Sequence, residues 1–172
     1  MNIADLRREY SDRPLRRADL NPDPFVQFEK WFAEARQTIE LDPNAMCVST
    51  VGAGGRPSSR MVLLKSFDQN GFVFFTNLES RKAREMAQNP NVSLLLCWLP
   101  LSRQITINGT TERVSTAEVV KYFMTRPRGS QLGAWVSHQS SVITSRSLLE
   151  AKWNEMKRKF AAGEVPLPSF WG

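Results

Sequence analysis

Ala45-Met-Cys-Val-Ser-Thr-Val51, Gly52-Ala-Gly-Gly-Arg-Pro57 and Ser59-Arg-Met-Val-Leu-Leu-Lys-Ser-Phe67 read in succession as strand, turn and strand. Short apolar runs rich in valine, bounded by glycine and proline, are the signal of a β-hairpin. Asp68-Gln-Asn-Gly71 marks a second turn and Phe72–Thr76 a third strand. Val92–Trp98 and Gln104–Val114 follow as strands, the latter broken near Asn108-Gly109. Strands joined by short turns, with no βαβα alternation, predict a mainly β fold: an antiparallel barrel with packed helices. There is no G-x-G-x-x-G, so Gly52–Gly55 reads as a turn and not as a nucleotide cradle.

Helices are expected around this sheet. Phe25, Phe28, Phe32, Ala35 and Ile39 recur at three- and four-residue steps, one apolar stripe that ends at Asp42-Pro-Asn44. A short helix is expected over Ser80–Gln88, stopped by Asn89-Pro90. Ser115-Thr-Ala-Glu118 and Ser147-Leu-Leu-Glu150 are capping boxes, each opening a helix. The first runs to about Thr125; the second carries Leu149, Trp153, Met156 and Phe160 on one face and ends near Gly163. Residues 1–21 read as an arm and residues 22–172 as one domain.

Composition narrows the class. With 41% hydrophobic and 23% charged residues in 172, the chain is an ordinary globular protein with enough length for a real core. No apolar run approaches the roughly 20 residues a membrane span needs, and Met1 to Tyr10 lacks the apolar region of a signal peptide. No membrane partner and a cytoplasmic location are the expectations. Cys47 and Cys97 sit in strand-like apolar contexts and read as core thiols. They and the one histidine, His138, lack metal-ligand spacing, so no metal is expected. A net charge of +6 fits either nucleic-acid binding or the handling of phosphorylated small molecules. The arginine-rich arm reads on charge alone as a solvated segment, and no aromatic–basic interleaving supports nucleic acid.

Cations stand where apolar strands and a helix start make them costly. Arg60 and Lys65 bracket Met61-Val-Leu-Leu64, and Arg81-Lys82 falls where a helix begins. A helix N-terminus disfavours cations unless an anion is held there, and Thr76 and Ser80 add hydroxyl donors. Arg60 and Lys65 are five residues apart, which puts them on opposite faces of a regular strand. That spacing splits one anion into two. Tyr122 and Arg126 share a helix face, with Ser130 just beyond, and form a second candidate phosphate clamp. The plainer readings are strand-end cations in solvent, and an arginine favoured by a helix C-terminus. Gln104 and Gln139-Ser140-Ser141 are either surface or hydrogen-bonding partners of a planar heterocycle.

Together these segments are specific. Arg60-Met-Val-Leu-Leu-Lys65, Phe75-Thr-Asn-Leu-Glu-Ser-Arg-Lys82, Tyr122-Phe-Met-Thr-Arg-Pro-Arg128, Ser130-Gln-Leu-Gly-Ala-Trp-Val-Ser137 with Gln139-Ser140-Ser141, and Val165-Pro-Leu-Pro-Ser-Phe-Trp-Gly172 closely resemble the pyridoxamine 5′-phosphate oxidase family. Leu6-Arg-Arg-Glu-Tyr10 fits it too. The resemblance implies an FMN-binding split β-barrel working as a homodimer. It implies that Arg60, Met61, Val62, Leu63, Leu64, Lys65, Phe75, Thr76, Arg81, Lys82, Gln104, Gln139 and Ser140 bind FMN. It implies further that Arg7, Arg8, Glu9, Tyr10, Lys65, Tyr122, Arg126 and Ser130 bind the substrate, which is pyridoxamine or pyridoxine 5′-phosphate. The implied reaction passes a hydride from the substrate's C4′ to the flavin and reduces dioxygen to hydrogen peroxide, giving pyridoxal 5′-phosphate. No side chain is expected as nucleophile or catalytic base, because the flavin carries that chemistry.

Family members continue past Pro166-Leu-Pro-Ser-Phe-Trp-Gly172 for several tens of residues that add strands and further flavin and substrate contacts. If 172 residues is the natural length, weakened FMN binding and reduced or absent turnover are expected. Two other functions stay open on the sequence: a related flavin oxidase of the phenazine type acting on another substrate, and a non-catalytic binder of FMN or pyridoxal phosphate.

Overall fold

Alternation builds the central sheet. In β1 (Ala45–Val51) every second side chain, Met46, Val48 and Thr50, is fully buried. β5 (Asn91–Trp98) does the same with Leu94, Leu96 and Trp98. A two-residue side-chain period puts these sets on one face of a pleated sheet. β2 (Pro57–Leu63) pairs with β1, and β6 (Arg103–Thr110) with β5, giving the antiparallel order β2-β1-β5-β6. Gly55, at φ 71°, returns its N–H to the Gly52 carbonyl at 2.9 Å and closes the β1–β2 hairpin. The Gly52–Gly55 stretch is thus a turn, as its sequence predicts.

Helix α1 (Pro24–Thr38) covers one end of the inner face. It starts cleanly: Asp23 accepts the Phe25 N–H at 2.8 Å, and Pro24 stands at N1. Phe28 meets Trp98 from the large sheet, and Phe67 and Phe72 from a small one, at centroid distances of 4.7 to 6.0 Å. That small sheet is the hairpin of β3 (Ser66–Asp68) and β4 (Gly71–Val73). Two antiparallel sheets so wrap a single aromatic core, the split-barrel arrangement.

A second core holds the rest. Val119 and Phe123 of α3 (Thr116–Thr125), Leu132 and Ala134 of α4 (Arg128–Val136), Phe160 after α5 (Arg146–Lys159), and Val165 and Trp171 pack together. The Ser115–Glu118 capping box is fully formed. The structure is a computed structural model and describes residues 3–6, 15–137, 139–143 and 145–172.

Several expectations shift. The strand expected over Ser59–Phe67 is two, because the chain leaves the large sheet after Leu63, and the Lys65 N–H turns to the Val73 carbonyl at 2.8 Å. The last sheet strand stops at Thr110 and does not reach Val114. The final helix is capped by Ser145, whose hydroxyl accepts the Leu148 N–H at 3.2 Å, and not by Ser147. Helix α4 was not expected at all. Cys97 is exposed, since the alternation that buries Leu96 and Trp98 turns it outward; Cys47 is half-buried. Arg7, Arg8, Glu9 and Tyr10, expected at the substrate, lie outside the described residues, as does His138.

Candidate functional site

The inner face of the β1–β2 pair changes character along its length. At Met46, Val48 and Val62 it is apolar and belongs to the aromatic core. At Thr50, Ser58 and Arg60 it is polar, and α2 (Arg81–Gln88) packs over it. Ser80 caps α2, its hydroxyl accepting the Ala83 N–H.

Glu85 of α2 sits at the centre of this polar end, its side chain 9% exposed. It accepts hydrogen bonds from Thr50 at 2.5 Å, Ser58 at 2.7 Å, Arg60 Nη2 at 3.2 Å and Arg81 Nε at 2.7 Å. Hydrogen bonds from the Thr50 and Ser58 hydroxyls, helped by Arg81, hold its carboxyl down to about 2. The counter-anion sought for Arg60 and Arg81 in a bound phosphate is, within the chain, this carboxylate.

Among the described residues Lys82 has no such partner. It is buried at 5% exposure, and its Nζ donates to Thr76 Oγ1 at 3.0 Å and Gln139 Oε1 at 2.7 Å. Burial, reinforced by the charge of Arg60, pulls its pKa down to about 8. Thr76 also donates to Gln139 at 3.1 Å. The Thr76 backbone is fixed by Gly172, which accepts its N–H at 2.5 Å and returns an N–H to its carbonyl at 2.9 Å. Residues remote in sequence so build one donor set: Thr76, Lys82 and Gln139, beside Arg60 and Arg81.

Phe75 links this set to a second. Its ring stacks on Tyr122 at 4.1 Å and on Trp171 at 5.4 Å, all three planes within 8° of parallel. Lys65 Nζ stands 5.9 Å from the Tyr122 ring centre, and the Arg126 guanidinium 4.6 Å from that of Trp171. Arg126 caps the end of α3, and its buried Nη1 has no hydrogen-bond partner among the described residues. Burial lowers its pKa, partly offset by Tyr122. A buried guanidinium nitrogen without an acceptor is costly, and an anion would relieve it.

Other expected site residues stand apart. Ser130 is exposed in the first turn of α4. Gln104 is exposed on β6, opposite Cys97. Ser140 is exposed with φ 66°. Met61 and Leu63 point outward from β2 at 63% and 37% exposure, while Leu64 is buried and Val62 half-buried. Glu85, Thr50, Ser58 and Trp171 were missed. Only Glu85 left a trace in the sequence, four residues after Arg81 on a helix.

A recess lies elsewhere. A groove of about 1140 Å³ between α4 and α5 is lined by Val136, Val142, Ile143, Leu148, Leu149 and Trp153. It holds none of the converging cations, so the two donor sets remain the better site. Among the described residues no three His, Cys, Asp or Glu side chains gather to hold a metal, and no helix is long and apolar enough to cross a membrane.

Residues 32–160 match the family described as pyridoxamine 5′-phosphate oxidase. The chain is 60% identical over its whole length to a pyridoxine/pyridoxamine 5′-phosphate oxidase of Rippkaea orientalis, covering 81% of that protein. It is 57% identical over 99% of its length to the protein of that name from Yersinia enterocolitica, covering 79% of it. Among solved structures it is similar to PhzG from Burkholderia lata in complex with tetrahydrophenazine-1-carboxylic acid, at TM-score 0.83 and 28% identity over 90% of this chain and 75% of that one. An FMN-binding protein of Nostoc punctiforme, related to pyridoxamine 5′-phosphate oxidase, shares the fold at TM-score 0.60 and 15% identity, over 76% of this chain and 73% of that one. On the family match and the identity to its relatives, the chain belongs to the pyridoxamine 5′-phosphate oxidase family.

Proposed function

We propose that this chain oxidises pyridoxamine or pyridoxine 5′-phosphate to pyridoxal 5′-phosphate, with FMN as cofactor and dioxygen as electron acceptor, releasing hydrogen peroxide. The carrying observation is the buried Arg126 Nη1, without a hydrogen-bond partner among the described residues, at the end of the helix that carries Tyr122 and within a cation set separate from that of Lys82 and Arg81. Two anion-seeking clusters joined by an aromatic stack suit two phosphorylated planar molecules, cofactor and substrate. FMN, when bound, supplies the hydride acceptor.

The side chains bind and orient. Lys82, Thr76, Gln139 and Arg81 are the groups suited to the cofactor phosphate and its polar edge. Arg126, Lys65 and Tyr122 suit the substrate phosphate, with Ser130 and residues 7–10 carried over by resemblance alone. Fixing both ends leaves each ring little freedom and turns an encounter into an oriented pair. The homodimer and the cytoplasmic location belong to this same reading.

The PhzG likeness favours a second reading, a flavin oxidase of an unphosphorylated substrate. Its 28% identity stands against 60% to the B6-oxidase relative. Oxygen uptake with pyridoxamine 5′-phosphate and with unphosphorylated pyridoxamine decides between them. A strong preference for the phosphate ester is expected; equal rates would overturn the proposal. Yellow protein with no oxygen uptake would leave only a flavin binder.

A further inference from the structure

The hydrogen bonds around Glu85 divide the work of the two arginines. Arg60 Nη1 donates to the Val48 carbonyl at 3.2 Å and Thr50 Oγ1 at 2.6 Å; its Nη2 donates to Ser58 Oγ at 2.5 Å and Glu85 at 3.2 Å. All four terminal N–H groups are thereby spent inside the protein, and only Nε–H remains for a ligand. The Thr50 and Ser58 hydroxyls accept from Arg60 and donate their own O–H groups to Glu85 Oε2. Arg60, two hydroxyls and one carboxylate oxygen close a ring of directed hydrogen bonds.

Arg81 is the converse case. Its side chain is 59% exposed and held at one point, Nε to Glu85 Oε1 at 2.7 Å. Its two terminal nitrogens have no partner among the described residues, and neither has its backbone N–H at the start of α2. A guanidinium gripped by Nε still offers its terminal edge, the edge that takes two phosphate oxygens together.

The turn below makes room for this arrangement. A Cβ on Gly52 would lie 3.3 Å from Glu85 Cγ, so glycine there lets the Glu85 stem pass under the hairpin.

We propose that Glu85 is the positioning residue of the cofactor-phosphate site: locked by Arg60, Thr50 and Ser58, it holds Arg81 by Nε and presents the terminal nitrogens of Arg81 to the phosphate. This rests on the FMN reading above and deepens it. Arginine loses much rotamer freedom when it grips a ligand, and a side chain already held loses less. Simple charge counting predicts the reverse, because removing a carboxylate from beside three cations should tighten anion binding. The two accounts therefore differ in sign.

The test compares FMN with riboflavin, which lacks the phosphate, in equilibrium titrations of the full chain. Wild type is expected to prefer FMN. Glu85→Gln keeps size but puts an amide where hydroxyl and guanidinium donors converge. It is expected to weaken FMN by about tenfold while leaving riboflavin unchanged. Arg81→Lys keeps the charge at an exposed position and loses Nε; the same loss is expected, and the double variant should be no worse than either single one. Should Glu85→Gln fail to fold, Glu85→Asp, which keeps the charge but draws the carboxylate back from Arg81 Nε, takes its place with the same expected loss. Unchanged or tighter FMN binding in the folded variants, or equal loss of FMN and riboflavin, overturns the positioning role and leaves the FMN reading intact. A wild type with no preference for FMN over riboflavin overturns the phosphate reading and this inference with it.

Discussion

Lys82 Nζ lies 2.7 Å from Gln139 Oε1, and both groups bond to the hydroxyl of Thr76. Burial withdraws this ammonium from water and the positive charge of Arg60 opposes it further, which is why its pKa falls to about 8.

A pH dependence follows. Between about 8 and the ordinary 10.5 the unfolded chain holds a proton on Lys82 that the folded chain has lost, so ligand-free stability rises with pH across that window. Phosphate affinity moves the other way, because only protonated Lys82 attracts the anion. FMN binding is expected to weaken as pH passes about 8, and Lys82→Arg should remove that step. Fluorescence titrations of FMN from neutral to alkaline pH check both points.

Glu85 gives the acid counterpart. Its carboxyl lies at about 2 in the folded chain against 4.5 in the reference state. Its contribution is fully present above 4.5 and is lost as pH falls toward 2. Melting temperature plotted against pH should drop more steeply over this interval in wild type than in Glu85→Gln. Parallel curves would refute the assignment.

Arg126→Met removes the buried donor that has no acceptor among the described residues while keeping a long side chain against Trp171. The ligand-free protein should melt no lower than wild type, since an unpaired buried polar group is gone. The KM for pyridoxamine 5′-phosphate should rise by about tenfold or more, the worth of a charge-assisted hydrogen bond. A lower melting temperature with unchanged KM would make Arg126 a structural residue.

Phe123 is fully buried and edge-on to Trp171 at 5.2 Å, and it shares α3 with Tyr122. Phe123→Ala should cost about 3–5 kcal/mol. Ser115→Ala, which breaks the capping box of that helix, should cost about 1 kcal/mol. Urea unfolding of the two variants provides the comparison.

Local chemistry was legible in the sequence and remote pairing was not. The Gly52–Gly55 turn, the cap at Ser115, and the aromatic stripe of α1 each depend on neighbours within a few residues. Helix α4 carries Gly129 and Gly133 and has no side-chain cap at Pro127, so nothing local announces it. Tertiary bonds hold it instead: Gln131 Nε2 to the Phe123 carbonyl at 3.0 Å, and Trp135 Nε1 to the Pro166 carbonyl at 2.8 Å. Arg60 and Lys65 do reach different side chains, Glu85 and the Tyr122 ring, but the cause is the end of β2 at Leu63 and not the alternation of one regular strand. Arg60 finds Glu85 only because β1 and β2 pair in the register Val48↔Arg60 and Thr50↔Ser58, which no periodicity encodes.

The strand-like pairing of residues 170–172 with 76–78 has a consequence in time. Thr76 acquires its final backbone partner only from Gly172, and Lys82 its amide partner only from Gln139, 57 residues downstream. During synthesis the cations of α2 leave the ribosome long before either partner, while the Gly52–Gly55 hairpin can close at once. The donor cluster thus matures only after residues 139 and 172 have both been made, and a ligand that binds it reports that step. In a refolding experiment, capture of FMN should lag behind the formation of the central sheet.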